Sequence, residues 1–166
     1  MNVAASPRLY LRELTEDDAE NFYDLNLDPD VLQYTGDSIF ESIDDARFFL
    51  HNYTNVYRKT GMGRWAVIRK EDDAFLGWCG LKYSEDTKET DLGFRFFKKY
   101  WGHGYATEAA KACVALGFST LGLSFIIGRA MEANSASVRV LEKAGFTFYQ
   151  FFDFEGEDGV VCRITP

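Results

Sequence analysis

Apolar positions recur along the chain with two periods, every second residue and every third or fourth, and the order of the two outlines the fold. Arg8 to Leu14 alternates and predicts a strand. Thr15 then stands as an N-cap before an acidic turn, with Asp18 as the shortened acid of a capping box, and a helix is expected from Glu16 to about Leu27, ending before Pro29. Residues 31–40 show no clean period. Ser42 caps a second helix on which Ile43, Ala46, Phe49, Leu50, Tyr53 and Tyr57 fall at helical spacing, closing near Gly61-Met62-Gly63. Trp65 to Arg69 and Phe75 to Tyr83 predict a hairpin around the polar run Lys70 to Asp73. A further polar run, Ser84 to Lys88, leads into a strand where Leu92, Phe94 and Phe96 alternate with Gly93, Arg95 and Phe97.

A glycine-punctuated turn, Gly102-His103-Gly104, separates that strand from a long helix whose apolar stripe is Ala106, Ala109, Ala110, Cys113, Val114 and Phe118. The small residues of the stripe predict close approach to a sheet, and Gly122 is the expected C′ residue. Phe125 to Arg129 is a short strand, Asn134 caps a helix to Ala144, and Gly145 closes it. Phe146 to Phe154 and Val160 to Thr165 form a last hairpin, the phenylalanine-rich half being expected in the core, as are Trp65 and Trp78. The order is β-α-α-β-β-β-α-β-α-β-β, an α/β class with one mixed sheet and helices on both faces. A single domain over residues 1–166 is expected, with no repeat and no linker.

Composition narrows the functions. A chain of 166 residues with 46% hydrophobic and 16% aromatic content buries a substantial core and is not disordered. A formal net charge of −8 makes it a poor nucleic-acid binder and suits a cationic acceptor better. The three cysteines, Cys79, Cys113 and Cys162, sit in apolar patterns and cannot all pair, which points to reduced thiols in a cytoplasmic setting. No apolar run approaches the ~18 residues of a membrane span. The two histidines, His51 and His103, share no metal-ligand spacing, so no metal site is expected.

The chemistry concentrates between Glu89 and Leu121. A helix opening on glycines presents unpaired N–H groups and the positive end of its dipole, a cradle for phosphate. The dinucleotide fingerprint would need a third glycine where Thr107 stands, and an acidic residue ending the next strand, which ends in Arg129. The P-loop's Gly-Lys-Ser/Thr does not occur. What remains is Gly-x-Gly-x-Ala with Thr107 and Glu108 in the first helical turn.

That turn resembles the acyl-CoA pyrophosphate loop of the GNAT N-acetyltransferase superfamily. The run from Trp101 to Ala109 is similar to the "WGxGYATEA" of its ribosomal-protein N-acetyltransferase branch, and Asn134 to Phe146 to that branch's "NxxSxxVLEKxGF". The resemblance implies a GNAT-like acyl-CoA N-acyltransferase fold. It also implies transfer of the acetyl group of acetyl-CoA to a primary amine by direct attack on the thioester. The acceptor would be a small-molecule amine or a protein N-terminus, the protein a monomer or homodimer, with neither nucleic acid nor membrane as partner. By the same resemblance the pyrophosphate lies on the backbone of Gly102, His103, Gly104, Tyr105, Ala106 and Thr107. Phe96 and Phe97 line the pantetheine arm, a backbone N–H near Phe96 faces the thioester oxygen, and Lys99 and Asn134 meet the cofactor.

Two departures from the family pattern bear on mechanism. Leu141 stands where many members carry a tyrosine general acid, which leaves Ser137 as the candidate proton donor, although a serine so near a helix start also serves as a cap. Lys99 replaces the usual glutamine or arginine. Asp91, with Glu89 two residues away, is the candidate base or else a solvated strand end. Neutralising a lysine amine of pKa ~10.4 at pH 7 costs about 4.6 kcal/mol, against about 1.1 kcal/mol for an α-amine near ~7.8. A single weak carboxylate therefore favours an α-amine. Two other classes stay open at this level: a non-catalytic acyl-CoA sensor, suggested by the missing tyrosine, and a nucleotide-binding oxidoreductase, suggested by Gly-x-Gly after a strand.

Overall fold

The computed structural model describes residues 2–166. Strands β1 (Asn2–Ala5) and β2 (Leu9–Glu13) lead through a 3-10 turn at Glu16–Asp18 into helices α1 (Ala19–Leu25), α2 (Pro29–Leu32) and α3 (Ile43–Thr60). Strands β3 (Arg64–Arg69), β4 (Phe75–Ser84) and β5 (Glu89–Phe96) follow, then helix α4 (Tyr105–Ser119), strand β6 (Ile126–Met131), helix α5 (Ser135–Lys143), and strands β7 (Thr147–Phe154) and β8 (Glu157–Ile164). All eight strands join one mixed sheet in the order β1-β2-β3-β4-β5-β6-β8-β7, antiparallel except for the β5/β6 pair.

Alternation along the strands divides the core into two layers. On one face α1 and α3 set Phe22, Leu25, Ala46 and Leu50 against Ala66, Ile68 and Trp78. On the other, Ala109, Ala110 and Cys113 of α4 and Leu141 of α5 pack on Leu9, Val67, Cys79, Leu81 and Leu92. The small stripe of α4 does bring the helix close, since a Cβ on Gly117 would lie 2.8 Å from the Ile126 Cδ1.

Five expectations change. β1 adds an edge strand that Asn2–Ala5, too short and alanine-rich, does not announce. The helix expected over residues 16–27 shortens to the 3-10 turn plus α1, because Asn26 turns its side chain back on the Phe22 carbonyl at 2.7 Å. Pro29 starts a helix as well as ending the previous one: Asp28 caps α2 through the Asp30 N–H at 2.9 Å, with proline at the first helical position, where its missing N–H costs nothing. Gly122 is left-handed at φ +67°, but α4 has already closed at Ser119, so it shapes the following loop and not the cap.

The phenylalanine-rich strand departs furthest. β7 is the sheet's last strand, paired with β8 alone, and Phe148, Tyr149 and Phe151 are exposed there instead of core. Trp65 and Trp78 are buried as expected, and the three cysteines are free and buried. Among the described residues no helix is long and apolar enough to cross a membrane, and no group of histidine, cysteine and acidic residues could hold a metal ion.

Candidate active site

The turn after β5 is built for an anion. Gly102 and Gly104 both sit at φ +79°, in the left-handed region that side chains with a Cβ resist. The first helical bond of α4 runs from the Glu108 N–H to the Gly104 carbonyl at 3.0 Å. The N–H groups from Gly102 to Thr107 therefore have no partner among the described residues, and they cluster at the positive end of a 15-residue helix. Arg8, from the loop between β1 and β2, braces this turn: its Nη1 donates to the His103 carbonyl at 3.0 Å and its Nε to the Glu108 carboxylate at 2.8 Å. Burial pushes the Glu108 carboxyl up, but the hydrogen bonds from Ser6 and Arg8 outweigh it and hold the group below its ordinary range. Nothing in the helical pattern marks Arg8, since its partners lie some hundred residues away in the sequence.

Next to the turn the sheet opens. β5 and β6 pair in parallel, with Asp91 opposite Ile127, and diverge beyond that point. The Phe97 N–H donates to the Leu76 carbonyl at 3.0 Å, so the antiparallel alternation aims the N–H groups of Phe94 and Phe96 away from β4 and into the opening. The Phe96 carbonyl accepts the Trp101 indole N–H at 3.0 Å, which leaves the Phe96 N–H as the unspent group. Both backbone groups of Phe97 are already engaged, its N–H by the Leu76 carbonyl and its carbonyl by the Tyr100 N–H at 3.0 Å.

A cavity of about 480 Å³ runs from the turn through this opening. It brings together Phe96, Gly102, Ala106, Asn134 and Ser137 of the expected site. The segment carrying Tyr34 roofs it, and two ion pairs tie that roof to the sheet side: Lys98 to Asp30 and Arg95 to Asp37, each at 2.6 Å. Among the other expected residues, Gly104, Tyr105 and Thr107 contribute their N–H groups to the cradle. The His103 ring is exposed and satisfied locally, its Nδ1 lying 2.8 Å from the Trp101 carbonyl. Lys99 lies outside the cavity with its Nζ 5.1 Å from the centre of the Tyr100 ring, while its neighbour Lys98 lines the cavity.

Asp91 is not in the cavity wall. It stands where the two strands part, beside Glu89, and both carboxylates are held by Arg129, at 3.1 and 3.2 Å. Burial raises the Asp91 carboxyl to about 6 despite the opposing pull of that guanidinium. A carboxylate titrating there can receive a proton near neutral pH more readily than an ordinary aspartate.

On α5 the cap and the catalytic candidate turn out to be one motif. The Asn134 Oδ1 accepts the Ser137 N–H at 3.2 Å, which fixes the amide orientation, and its Nδ2 donates to the Ser137 Oγ at 2.9 Å. With its oxygen already accepting, the Ser137 hydroxyl keeps its own proton free to donate. Leu141 does not share this face: it is buried in a socket left by Gly128, where a Cβ would lie 2.5 Å from the Leu141 Cδ2. Val140 instead follows Ser137 along the cavity.

Comparisons with known proteins bear on the family and the fold. The acetyltransferase (GNAT) domain model matches residues 8–147. An N-acetyltransferase of Bacillus subtilis, YoaA, is 30% identical over 145 residues, covering 87% of this chain and 82% of its own length. The FsC-acetyl coenzyme A-N(2)-transacetylase of Aspergillus fumigatus is 31% identical over 172 residues, 92% of this chain and 70% of that protein. The solved structure of the ribosomal L7/L12 α-N-protein acetyltransferase RimL with coenzyme A superposes with a TM-score of 0.86 at 14% identity, covering 99% of this chain and 98% of that one, and speaks for the fold alone. The chain belongs to the acetyltransferase (GNAT) family and is an acetyl-CoA-dependent N-acetyltransferase.

Proposed function

We propose that the chain acetylates an α-amine, that of a small molecule or of a peptide or protein N-terminus, with Asp91 as base and Ser137 as acid. The observation that carries this reading is the shared cavity: the glycine turn, the open Phe96 N–H and the Ser137 hydroxyl face one space. Bound acetyl-CoA supplies the thioester. The N–H groups from Gly102 to Thr107 hold its pyrophosphate, and the Phe96 N–H donates to the carbonyl oxygen as charge gathers there, a contact worth about 3 kcal/mol in comparable sites.

Asp91, with its carboxyl near 6, takes the amine's proton through intervening solvent, while the Ser137 hydroxyl gives its proton to the departing sulfur. Its own proton is then restored from solvent. A base this weak suits an amine already partly neutral at pH 7, and a peptide α-amine near ~7.8 is far closer to that condition than a lysine near ~10.4. The FsC transacetylase and RimL are named for different acceptors, so the family alone leaves the amine open.

The test is a panel of α-amines, ε-amines and polyamines with acetyl-CoA, read by mass spectrometry and by thiol release. Preference for α-amines at a fixed concentration of free amine supports the reading; preferential acetylation of polyamines or lysine side chains refutes it.

A further inference from the structure

One buried charge on the roofed side of the cavity has no part in the scheme above. Arg95 lines the cavity with only 9% of its side chain exposed. Its Nη1 donates to the Asn26 amide oxygen and its Nη2 to the Asp37 carboxylate at 2.6 Å, but its Nε–H is buried without a partner. The Nε/Nη edge of a guanidinium matches the two oxygens of a carboxylate. Asp37 satisfies that match only in half, from a side chain that is 50% exposed.

The surroundings add positive charge without a further acceptor. Trp78, opposite Arg95 on β4, carries a second buried donor without a partner, its Nε1–H. The Arg64 guanidinium lies 4.6 Å from the centre of the Trp78 ring and that of Arg95 5.5 Å, and Arg64 makes no ion pair among the described residues. Two guanidiniums thus lie near one indole, and the carboxylate paired with either of them is the half-exposed Asp37 on Arg95. In a chain of net charge −8 this is a local excess of cation, and it is short of oxygen acceptors. A buried donor left unpaired is costly, so the arrangement is completed by a ligand that brings oxygens. Arg95 lines the same cavity as Phe96, whose open N–H faces the reacting carbonyl in the scheme above, so a carboxylate borne next to the acceptor amine falls within one space with both.

Resting on the acetyl-transfer reading, we propose that Arg95 is the specificity-determining residue of the acceptor site. Its guanidinium binds a carboxylate adjacent to the acceptor amine and so offsets the charge that holds a free amino acid's amine above a peptide's, so that the acceptors are free α-amino acids. Asp37 occupies the guanidinium in the absence of substrate, and the substrate carboxylate takes its place.

The test offers the full-length protein the common α-amino acids, each beside its carboxamide and its decarboxylated amine, with acetyl-CoA. Products are read by mass spectrometry, and kcat/KM is corrected for the fraction of free amine at the working pH. The expected result is at least a tenfold preference for the carboxylate form over both partners, about 1.4 kcal/mol. Arg95→Gln should collapse that ratio, and Arg95→Lys should restore part of it.

Because Arg95 also holds Asn26, a second variant guards against misfolding. Asp37→Asn removes the competing carboxylate and should lower KM for the amino acids severalfold, with kcat little changed. Equal or better use of the carboxamides or decarboxylated amines overturns the proposal and leaves acetyl transfer standing. Failure of Asp37→Asn to lower KM for amino acids also overturns it. Acetylation of none of the three series overturns the proposal, and acetylation of a peptide N-terminus by the same preparation then leaves the acetyl-transfer reading standing.

Discussion

Asp91 ought to weaken the fold while serving the reaction, and replacing it measures both. Its carboxyl is moved from an ordinary 3.8 to about 6, with burial as the main cause. The native state therefore holds this proton over a pH range where the unfolded chain has released it. For an acid raised in this way, stability is greatest below 3.8 and falls as pH climbs through about 6. At about 1.36 kcal/mol for each pH unit between the two values, the loss at pH 7 would reach ~3 kcal/mol. The side chain retains 26% of its exposure, and solvent there screens the charge. A working figure is then ~1–2 kcal/mol.

Asp91→Asn keeps the shape and cannot ionise, so it should raise Tm at pH 7.5 by about 3–6 °C for a chain of this size. The gain should shrink as pH falls and vanish near pH 4, as followed by circular dichroism across a pH series. The same variant should lose the acid limb of kcat/KM near pH 6 and about 10²-fold in rate. Two acceptors of different amine pKa separate that limb from titration of the amine itself. Equal melting temperatures for the two proteins at pH 7.5, or an unchanged acid limb in the variant, would refute the reasoning.

Three further outcomes follow from geometry. Ser137→Ala should cut kcat by about 10²-fold with acetyl-CoA affinity nearly intact, measured by steady-state kinetics and calorimetry, because the Asn134 cap to the residue-137 N–H survives the change. Gly102→Ala meets no atom within 4 Å, so its cost is backbone strain alone, about 1–2 kcal/mol in thermal unfolding, together with weaker acetyl-CoA binding where the new methyl obstructs the cradle. Gly128→Ala drives a Cβ into Leu141 and should cost ~1–3 kcal/mol, most of it recovered in the double variant with Leu141→Val, so a double-mutant cycle reads strongly non-additive coupling.

The parts legible in the sequence were those encoded within one element. Period-two alternation located β2 to β6, and the small-residue stripe of α4 announced its close packing. The two glycine-flanked motifs identified the family because their backbone geometry demands particular residues at particular spacings. The parts that stayed hidden are set between elements. Arg8 reads as the first residue of a strand, and only the fold lays it against His103 and Glu108. Arg95 and Asp91 read as the polar half of an alternation, and alternation cannot say that one meets Asp37 while the other shares Arg129 with Glu89. β7 was misjudged for a related reason. Its phenylalanines carry core chemistry, but burial depends on what lies across the sheet edge, and among the described residues nothing covers Phe148 and Phe151.

Net charge is also a poor guide to this site, for a reason that reaches beyond the one protein. A chain at −8 would be expected to repel a polyanionic cofactor. At physiological ionic strength, however, charges farther apart than about 8 Å are largely screened, so the potential at a bound phosphate is set by its nearest neighbours. On the proposed reading those neighbours are the unpaired N–H groups from Gly102 to Thr107, the end of α4 and the Arg8 guanidinium, whose charge the Glu108 carboxylate partly offsets. Along the cavity the cations are Arg95 and Lys98, each met by one exposed carboxylate. The acidic surplus lies elsewhere, and its contribution is long-ranged and salt-dependent, acting on rates of approach more than on the bound state. On the proposed reading the acceptor, an amino-acid zwitterion neutral overall, feels little of that long-range field and is sorted at short range by Arg95.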